Sequence, residues 1–206
     1  MALRHPKLVL AGLLVAGLAS FPAHAEPNPA QQVVEKSYAV LLGVMKESKT
    51  LGYSGRFQKL APFVETAFNL PLMAQVSAGA HWAKATEEQR KHFVEAFGRM
   101  TAATLAMRFS GYNGEKFDVL GTEEKSPGTA LVKTEIVRSD GYKVAVDYLV
   151  RNTGGEWKVA DVYANGGISE LAVKTADYAQ VLKTGGVDAL ADALDKKAET
   201  LAHEEK

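Results

Sequence analysis

Residues 130–150 read ALVKTEIVRSDGYKVAVDYLV, and this stretch decides the fold class of the chain. Apolar side chains recur at every second position on both sides of a Ser-Asp-Gly turn at 139–141. A period of two places alternate side chains on one face of a strand, so the stretch predicts an antiparallel β-hairpin. The shared face would carry Ala130, Val132, Thr134 and Ile136 from the first strand, and Val144, Val146, Tyr148 and Val150 from the second.

Further strands flank this hairpin on both sides. After a polar turn at 152–155, Trp157 and Val159 belong to a third strand that continues to Tyr163. A shorter strand over about residues 116–120 precedes the hairpin. We therefore predict an antiparallel sheet of about four strands within residues 115–164.

Helical patterns occupy the chain before and after the sheet. Asn28 followed by Pro29 predicts the start of a first helix that runs to about Lys49. Thr86 with Gln89 three positions later predicts a capping box, and the helix behind it should end near residue 110. Helices within 28–110 and 169–200, with a break at 184–186, surround the sheet segment. Because helices and strands form separate blocks, the fold class is α+β.

The N-terminal segment is an export signal by its pattern. Arg4 and Lys7 supply a positive start, an apolar run from Leu8 to Leu18 follows, and a small-x-small motif ends at Ala25. The apolar run is too short for a membrane span, which needs roughly 20 residues. We expect residues 1–25 to be a signal peptide cleaved after Ala25, and residues 26–206 to form a single domain.

Composition excludes several function classes. The chain has 206 residues, 24 Lys and Arg against 24 Asp and Glu, and no cysteine. Lack of cysteine excludes disulfides, thiol nucleophiles and Cys-ligated metals. A neutral chain lacks the basic surplus that displaces counterions from nucleic acid, so we expect no nucleic-acid partner. We also expect no cofactor and no metal, because there is no His-x-x-x-His pair and no Gly-rich phosphate loop.

Catalytic motifs are likewise missing or out of context. Lys183-Thr184-Gly185 matches a fragment of the penicillin-binding pattern, but no Ser-x-x-Lys supplies its nucleophile. Asp147 and Asp161 sit on predicted strands among apolar neighbours, where desolvation would raise a carboxyl pKa. Asp147, however, alternates onto the polar face, and Asp161 lies near a strand end, where it would cap a neighbouring turn. We therefore expect the chain not to be an enzyme.

Four segments carry a resemblance to one family. The four segments are GAHWAKATEEQR at 79–90, EWKVADV at 156–162, Gly-Ile-Ser at 167–169 and GVDAL at 186–190. They resemble, in the same order, segments of the MlaC-like family, which is also called the toluene-tolerance family. Its members are periplasmic lipid carriers of an ABC-type transport system. The resemblance covers about residues 30–198.

Two segments depart from the general phospholipid-carrier branch. That branch usually reads Glu-Gly-Val-Ser after the Asp strand, whereas this chain reads YANGGIS at 163–169. Together with NLPLM at 69–73, this segment looks more like the hopanoid-associated, HpnM-like branch. The ligand implied is therefore a phospholipid or a hopanoid-type polycyclic lipid.

The resemblance implies helices packed over a curved antiparallel sheet, partly NTF2-like, with acyl chains held between sheet and helices. Partners would be the inner-membrane transport components, with outer-membrane components as a further candidate, and we expect a periplasmic monomer. Trp157, Tyr148, Val146, Phe97 and Met100 are expected nearest the centre of the lipid site. The full set of candidate lipid-binding residues is Met73, Val76, Phe93, Phe97, Met100, Leu105, Phe109, Val132, Ile136, Val146, Tyr148, Trp157 and Val159.

Two other classes stay open. An enzyme with the same partly NTF2-like, cone-shaped fold would use Asp147 or Asp161 as a base on a polycyclic or sterol-like substrate. A structural adaptor would instead bind envelope proteins and have a filled interior. A hollow between helices and sheet separates the adaptor from the other two.

Overall fold

The computed structural model describes residues 28–164 and 167–204, so the predicted leader and its cleavage at Ala25 lie outside the described residues. Within these described ranges, five α-helices and five β-strands follow one another. Their bounds are α1 Pro29–Lys46, α2 Ser48–Ala67, α3 Leu70–Ala78, α4 Glu87–Arg108, β1 Lys116–Ser126, β2 Thr129–Val137, β3 Lys143–Thr153, β4 Glu156–Ala164, β5 Ile168–Ser169 and α5 Glu170–Glu204, with a 3₁₀-helix at Gly79–Lys84 before α4. The predicted α+β class is confirmed.

Polar caps start the helices where the sequence predicts them. The Asn28 side chain accepts a hydrogen bond from Ala30 N at 2.9 Å, at the start of α1. At the start of α4, Gln89 N donates to Thr86 Oγ1 at 3.2 Å and Thr86 N donates to Gln89 Oε1 at 3.0 Å. The predicted capping box is therefore present with both of its bonds.

Glycines bend two helices where the sequence predicts helix ends. Gly52 in α2 has φ 56° and ψ −174°, and Gly186 in α5 has φ 72° and ψ −166°. These are conformations that only glycine adopts at low cost. The first helix ends at Lys46 rather than Lys49, and the backbone regains helical geometry directly after each glycine.

The sheet is antiparallel throughout, in the order β1-β2-β3-β4-β5. In the central hairpin Ile136 pairs with Val144 and Ala130 pairs with Val150, so the side chains predicted to share a face do share it. The first strand extends six residues beyond its predicted end at Leu120, and the two-residue β5 adds a fifth strand beside β4.

One face of the sheet is charged and exposed to solvent. Lys143 Nζ lies 2.7 Å from Glu135 Oε1 across β2 and β3, and Lys133 Nζ lies 3.3 Å from Glu123 Oε2 across β1 and β2. The edge strand β1 is irregular, with register shifts after Val119 and after Glu124. Its second half is exposed.

The opposite face of the sheet packs against the helices and forms the core. Helix α1 contacts β1 to β4, while α4 packs mainly against α5 and α2. The junction of α2 and α3 is tied to β4, because Asn69 N donates to Val159 O at 2.8 Å. None of the described helices is both long and apolar enough for a bilayer span.

Candidate functional site

A cavity of about 330 Å³ lies between the helices and the apolar face of the sheet that packs against them. Its volume falls at the lower end of the range typical of small-molecule sites, about 300–1,000 Å³. All of the longer elements except β1 contribute to it. Its wall consists of Ser37, Leu41, Phe63, Phe68, Met73, Thr101, Thr104, Leu105, Arg108, Phe109, Ile136, Val144, Val146, Tyr148, Val162, Ala164, Glu170, Leu171 and Lys174.

The wall is mostly apolar because two periodicities converge on it. Ile136 follows the inward alternation of β2, and Val144, Val146 and Tyr148 follow that of β3. The helices supply their own inward stripes, at Leu105 in α4 and Leu171 in α5. Such a surface offers contacts that tolerate variable shape and few directional hydrogen bonds.

A buried polar network stands behind the sheet side of the cavity. The Thr134 hydroxyl donates to the Val146 carbonyl, so its oxygen accepts from the Tyr38 hydroxyl. The backbone N–H of Thr134 donates to Asp147 Oδ1 at 3.1 Å, in place of a ladder bond. Side chains thus replace backbone pairing at this point of β2 and β3.

Tyr38 of this network and the neighbouring Tyr148 stay protonated. Burial raises the pKa of Tyr38 to about 12, and burial next to Tyr38 raises the pKa of Tyr148 well above its usual range. Both therefore act as neutral hydrogen-bonding groups at physiological pH. Their rings lie 5.7 Å apart in an edge-to-face arrangement, and Tyr148 also lines the cavity.

The polar members of the wall include one group of charges. Arg108 Nη2, at the end of α4, lies 3.7 Å from Glu170 Oε2 at the start of α5. Lys174 follows Glu170 by one helical turn, and its Nζ lies 5.9 Å from the centre of the Phe97 ring. Burial lowers the pKa of Lys174, partly offset by the attraction of Glu170.

Asp161 fixes the first turn of α5 and thereby this charged group. Its carboxylate accepts from Ser169 Oγ at 2.6 Å and from Leu171 N at 3.1 Å, and it also accepts from Val162 N at 2.8 Å. The side chain is buried, with 7% of the residue exposed. The expected cap at a strand end is therefore the role the geometry gives Asp161.

Asp147 has a comparable structural role through its bond to Thr134 N. Neither carboxylate of the enzyme alternative lines the cavity. Within the residues that the structure describes, no group of three or more His, Cys, Asp or Glu side chains is arranged to hold a metal ion.

Six of the thirteen candidate lipid-binding residues line the cavity: Met73, Leu105, Phe109, Ile136, Val146 and Tyr148. Tyr148 and Val146, two of the five expected nearest the centre, are among them. The structure brings these six together from α3, α4, β2 and β3.

The other seven candidates lie away from this wall. Phe93, Phe97, Val132 and Val159 are at most 1% exposed and belong to the solid core behind it. Met100 is half-buried against the same core, and Val76 is 47% exposed on the outer side of α3. Trp157 lines a separate surface hollow of about 560 Å³ beside Pro62 and Phe63. Helical and strand periodicity identifies inward residues, and it cannot separate those around a void from those that fill the core.

The charged members of the wall were not predicted. Glu170 and Lys174 are four positions apart on a helix, which is the spacing of an ordinary solvated ion pair. Arg108 occupies the last turn of α4, where a basic residue is expected for the helix dipole alone. The only sequence signal was position, because all three sit at helix ends next to the strand–helix connection.

Other hollows on the described surface are more open and carry charged walls. One of about 640 Å³ is bounded by Glu65, Glu95, Arg99 and Lys158 among others, and another of about 780 Å³ lies between α2 and the end of α5. The largest volumes therefore lie in exposed grooves, whereas the cavity under the sheet combines apolar walls with a small group of charges.

Comparison with known proteins agrees with this architecture. The family described as "MlaC protein" matches residues 35–196. The toluene tolerance protein ttg2D of Pseudomonas putida is 29% identical over 164 residues, covering 75% of this chain and 74% of that protein. A phospholipid-binding protein from Ralstonia solanacearum, solved in complex with a phospholipid, superposes with a TM-score of 0.71 at 24% identity, covering 85% of this chain and 99% of that one.

Proposed function

The chain belongs to the MlaC family, and from this premise we propose that it is a periplasmic carrier that encloses lipid tails in the cavity and hands the lipid between membrane transport components. The family consists of lipid carriers rather than enzymes. The observation that carries the proposal is the apolar cavity between sheet and helices, with its charges confined to one group.

The energetics of hydrocarbon in water call for such a cavity. Each buried methylene is worth about 0.8 kcal/mol, so one chain of ~16 carbons opposes transfer into water by about 13 kcal/mol. Unassisted diffusion across an aqueous compartment is correspondingly slow. A carrier must therefore cover most of the tail, and shape-tolerant contacts such as those of Leu105, Val146 and Leu171 suit this task.

We propose a phospholipid as the ligand, in keeping with the ligand of the Ralstonia solanacearum protein. A hopanoid-type polycyclic lipid is the second candidate, supported by the sequence departures at 69–73 and 163–169. A flexible acyl chain adapts to a narrow cavity, whereas a rigid ring system needs one of matching width. Competition between the two lipids for the purified protein distinguishes them.

The remaining details of the role are also proposals. We propose that the carrier works as a monomer, as an auxiliary to an ABC-type transporter of the inner membrane, with an outer-membrane component as its second partner. The N-terminal segment would direct export and then be cleaved after Ala25, which leaves residues 26–206 as the mature domain.

The first experiment identifies the lipid. The protein is purified from the periplasm of its producing cells, and its bound lipids are extracted and analysed by mass spectrometry. Stoichiometric phospholipid or hopanoid supports the proposal. If no lipid co-purifies and none is taken up from phospholipid vesicles, the proposal fails.

A cavity-blocking variant ties loading to this site. Val146→Trp places an indole into the cavity from the centre of β3, and we expect it to abolish lipid uptake while the protein remains folded. Val119→Trp is the matched control, because Val119 is also a half-buried strand valine but does not line the cavity. Equal loading of both variants would contradict a tail site at this position.

A further inference from the structure

Lys174 is a positively charged residue in the mostly apolar wall of the cavity. It lines the cavity together with Leu105, Phe109 and Leu171, and its Nζ faces the ring of the buried Phe97 at 5.9 Å. An ammonium group removed from water is costly unless an anion or several acceptors compensate it. Among the described residues, no oxygen accepts a hydrogen bond from Lys174 Nζ, so the protein compensates its charge only in part.

The charged side chains of the cavity wall, taken alone, leave a surplus of one positive charge. Glu170 attracts Lys174 but also lies 3.7 Å from Arg108, so a single carboxylate serves two cations. Asp177 also attracts Lys174 but does not line the cavity. The part of the wall formed by Arg108, Glu170 and Lys174 therefore favours one further anion.

We propose that Lys174, with Arg108, binds the phosphate of the lipid headgroup and makes the protein prefer lipids that carry a net negative charge. This inference rests on the proposed function, since it concerns the head of a lipid whose tail occupies the cavity. Ammonium and guanidinium groups are the usual phosphate partners in proteins.

The charge balance sets the preferred class. One phosphodiester neutralises the surplus of Arg108, Glu170 and Lys174, and the uncharged glycerol of a phosphatidylglycerol headgroup adds no further charge. A zwitterionic headgroup adds a quaternary or primary ammonium, which must lie near the same two cations or extend into water. Anionic glycerophospholipids therefore fit this group of charges better than zwitterionic ones.

The test measures lipid uptake from vesicles of phosphatidylglycerol or of phosphatidylcholine, with a third set containing oleate as a carboxylate source. We expect the wild-type protein to take up phosphatidylglycerol in preference to phosphatidylcholine by roughly threefold to fivefold, the effect of one partly screened charge contact. Lys174→Gln should bring this ratio close to one without abolishing uptake. Lys183→Gln is the matched control, because Lys183 is an exposed lysine of the same helix outside the cavity.

Two further variants keep the test decisive if Lys174→Gln is unstable. Lys174→Arg retains the charge and should retain the preference, while Arg108→Gln removes an exposed cation and should weaken it. A wild-type ratio near one, a ratio unaffected by Lys174→Gln, or selective uptake of oleate would overturn the inference and leave the carrier function standing. Failure of the wild-type protein to take up any lipid would instead overturn the carrier function itself.

Discussion

Replacing Asp161 by alanine is expected to destabilise the first turn of α5. The carboxylate accepts hydrogen bonds from Ser169 Oγ at 2.6 Å and Leu171 N at 3.1 Å, which lie eight and ten residues further along the chain. Ser169 Oγ in turn accepts from Ala172 N at 2.9 Å, so one acidic side chain organises the whole first turn. Alanine leaves these donors without their acceptor in a buried position.

The magnitude follows from the number and type of these bonds. Hydrogen bonds to a charged group contribute about 1.5–3 kcal/mol each, and the two long-range bonds overlap in what they fix. We expect Asp161→Ala to lower the free energy of unfolding by about 3–5 kcal/mol, or the melting temperature by about 6–20 °C. Asp161→Asn keeps one oxygen towards Leu171 N and should lose about 1–2 kcal/mol.

The measurement is thermal and urea unfolding followed by circular dichroism, with hydrogen exchange of the backbone at 170–175. Exchange there should accelerate more than in α4, because the cap acts on α5. The lipid uptake of Asp161→Asn should persist, since the carboxylate does no chemistry. A loss below about 1 kcal/mol in Asp161→Ala would refute the capping argument, and a chemical turnover that disappears in Asp161→Asn would revive a catalytic base.

Three further changes probe other parts of the molecule. His92 Nδ1 lies 3.0 Å from Asp188 Oδ1, and this bond raises the pKa of His92. Its stabilising contribution is therefore complete below the unfolded pKa of about 6.5 and is lost as pH rises through the raised folded pKa. His92→Gln should flatten the fall in melting temperature as pH rises above about 6.5, and an unchanged slope would contradict this. Thr134→Val removes the hydroxyl that bridges a tyrosine and a strand carbonyl, and should cost about 2–4 kcal/mol in urea unfolding; a cost under about 1 kcal/mol would mean that water replaces it. Gly186→Ala forces a side chain onto φ 72° and ψ −166° and should cost about 1–3 kcal/mol, whereas Gly43→Ala, in the last turn of α1, should be neutral or stabilising; equal melting temperatures for the two variants would count against strain at the bend.

The fold was predictable where one period dominates a segment. The shared face of β2 and β3 follows from strict alternation, and the capping box at Thr86 and Gln89 marks the start of α4 without tertiary information. The predicted helix end near Lys49 and the predicted break at 184–186 are bends at Gly52 and Gly186, because the sequence signal for a helix end does not reveal whether the chain re-enters a helix. The extension of β1 depends on pairing with β2 rather than on its own weakly apolar sequence.

The site was predictable only in part. Alternation placed Ile136, Val146 and Tyr148 on the inward face, and the cavity uses all three. Whether an inward residue meets a void or a neighbour depends on how the helices lie over the sheet, which no local pattern encodes; Phe93 and Phe97 are inward in the same sense but fill the core. Lys174 was missed because hydrophobic periodicity treats every lysine as a surface residue.

The irregular edge strand β1 affects the tendency of the protein to aggregate at high concentration. A sheet edge with free backbone groups can pair with a second copy of the chain. Glu123, Glu124 and Lys125 place charges along the second half of β1, and the shifts after Val119 and after Glu124 disturb the regular spacing that a docking strand would need. These charges and register shifts should therefore disfavour pairing of β1 with a strand of another molecule, and so protect the protein from aggregation.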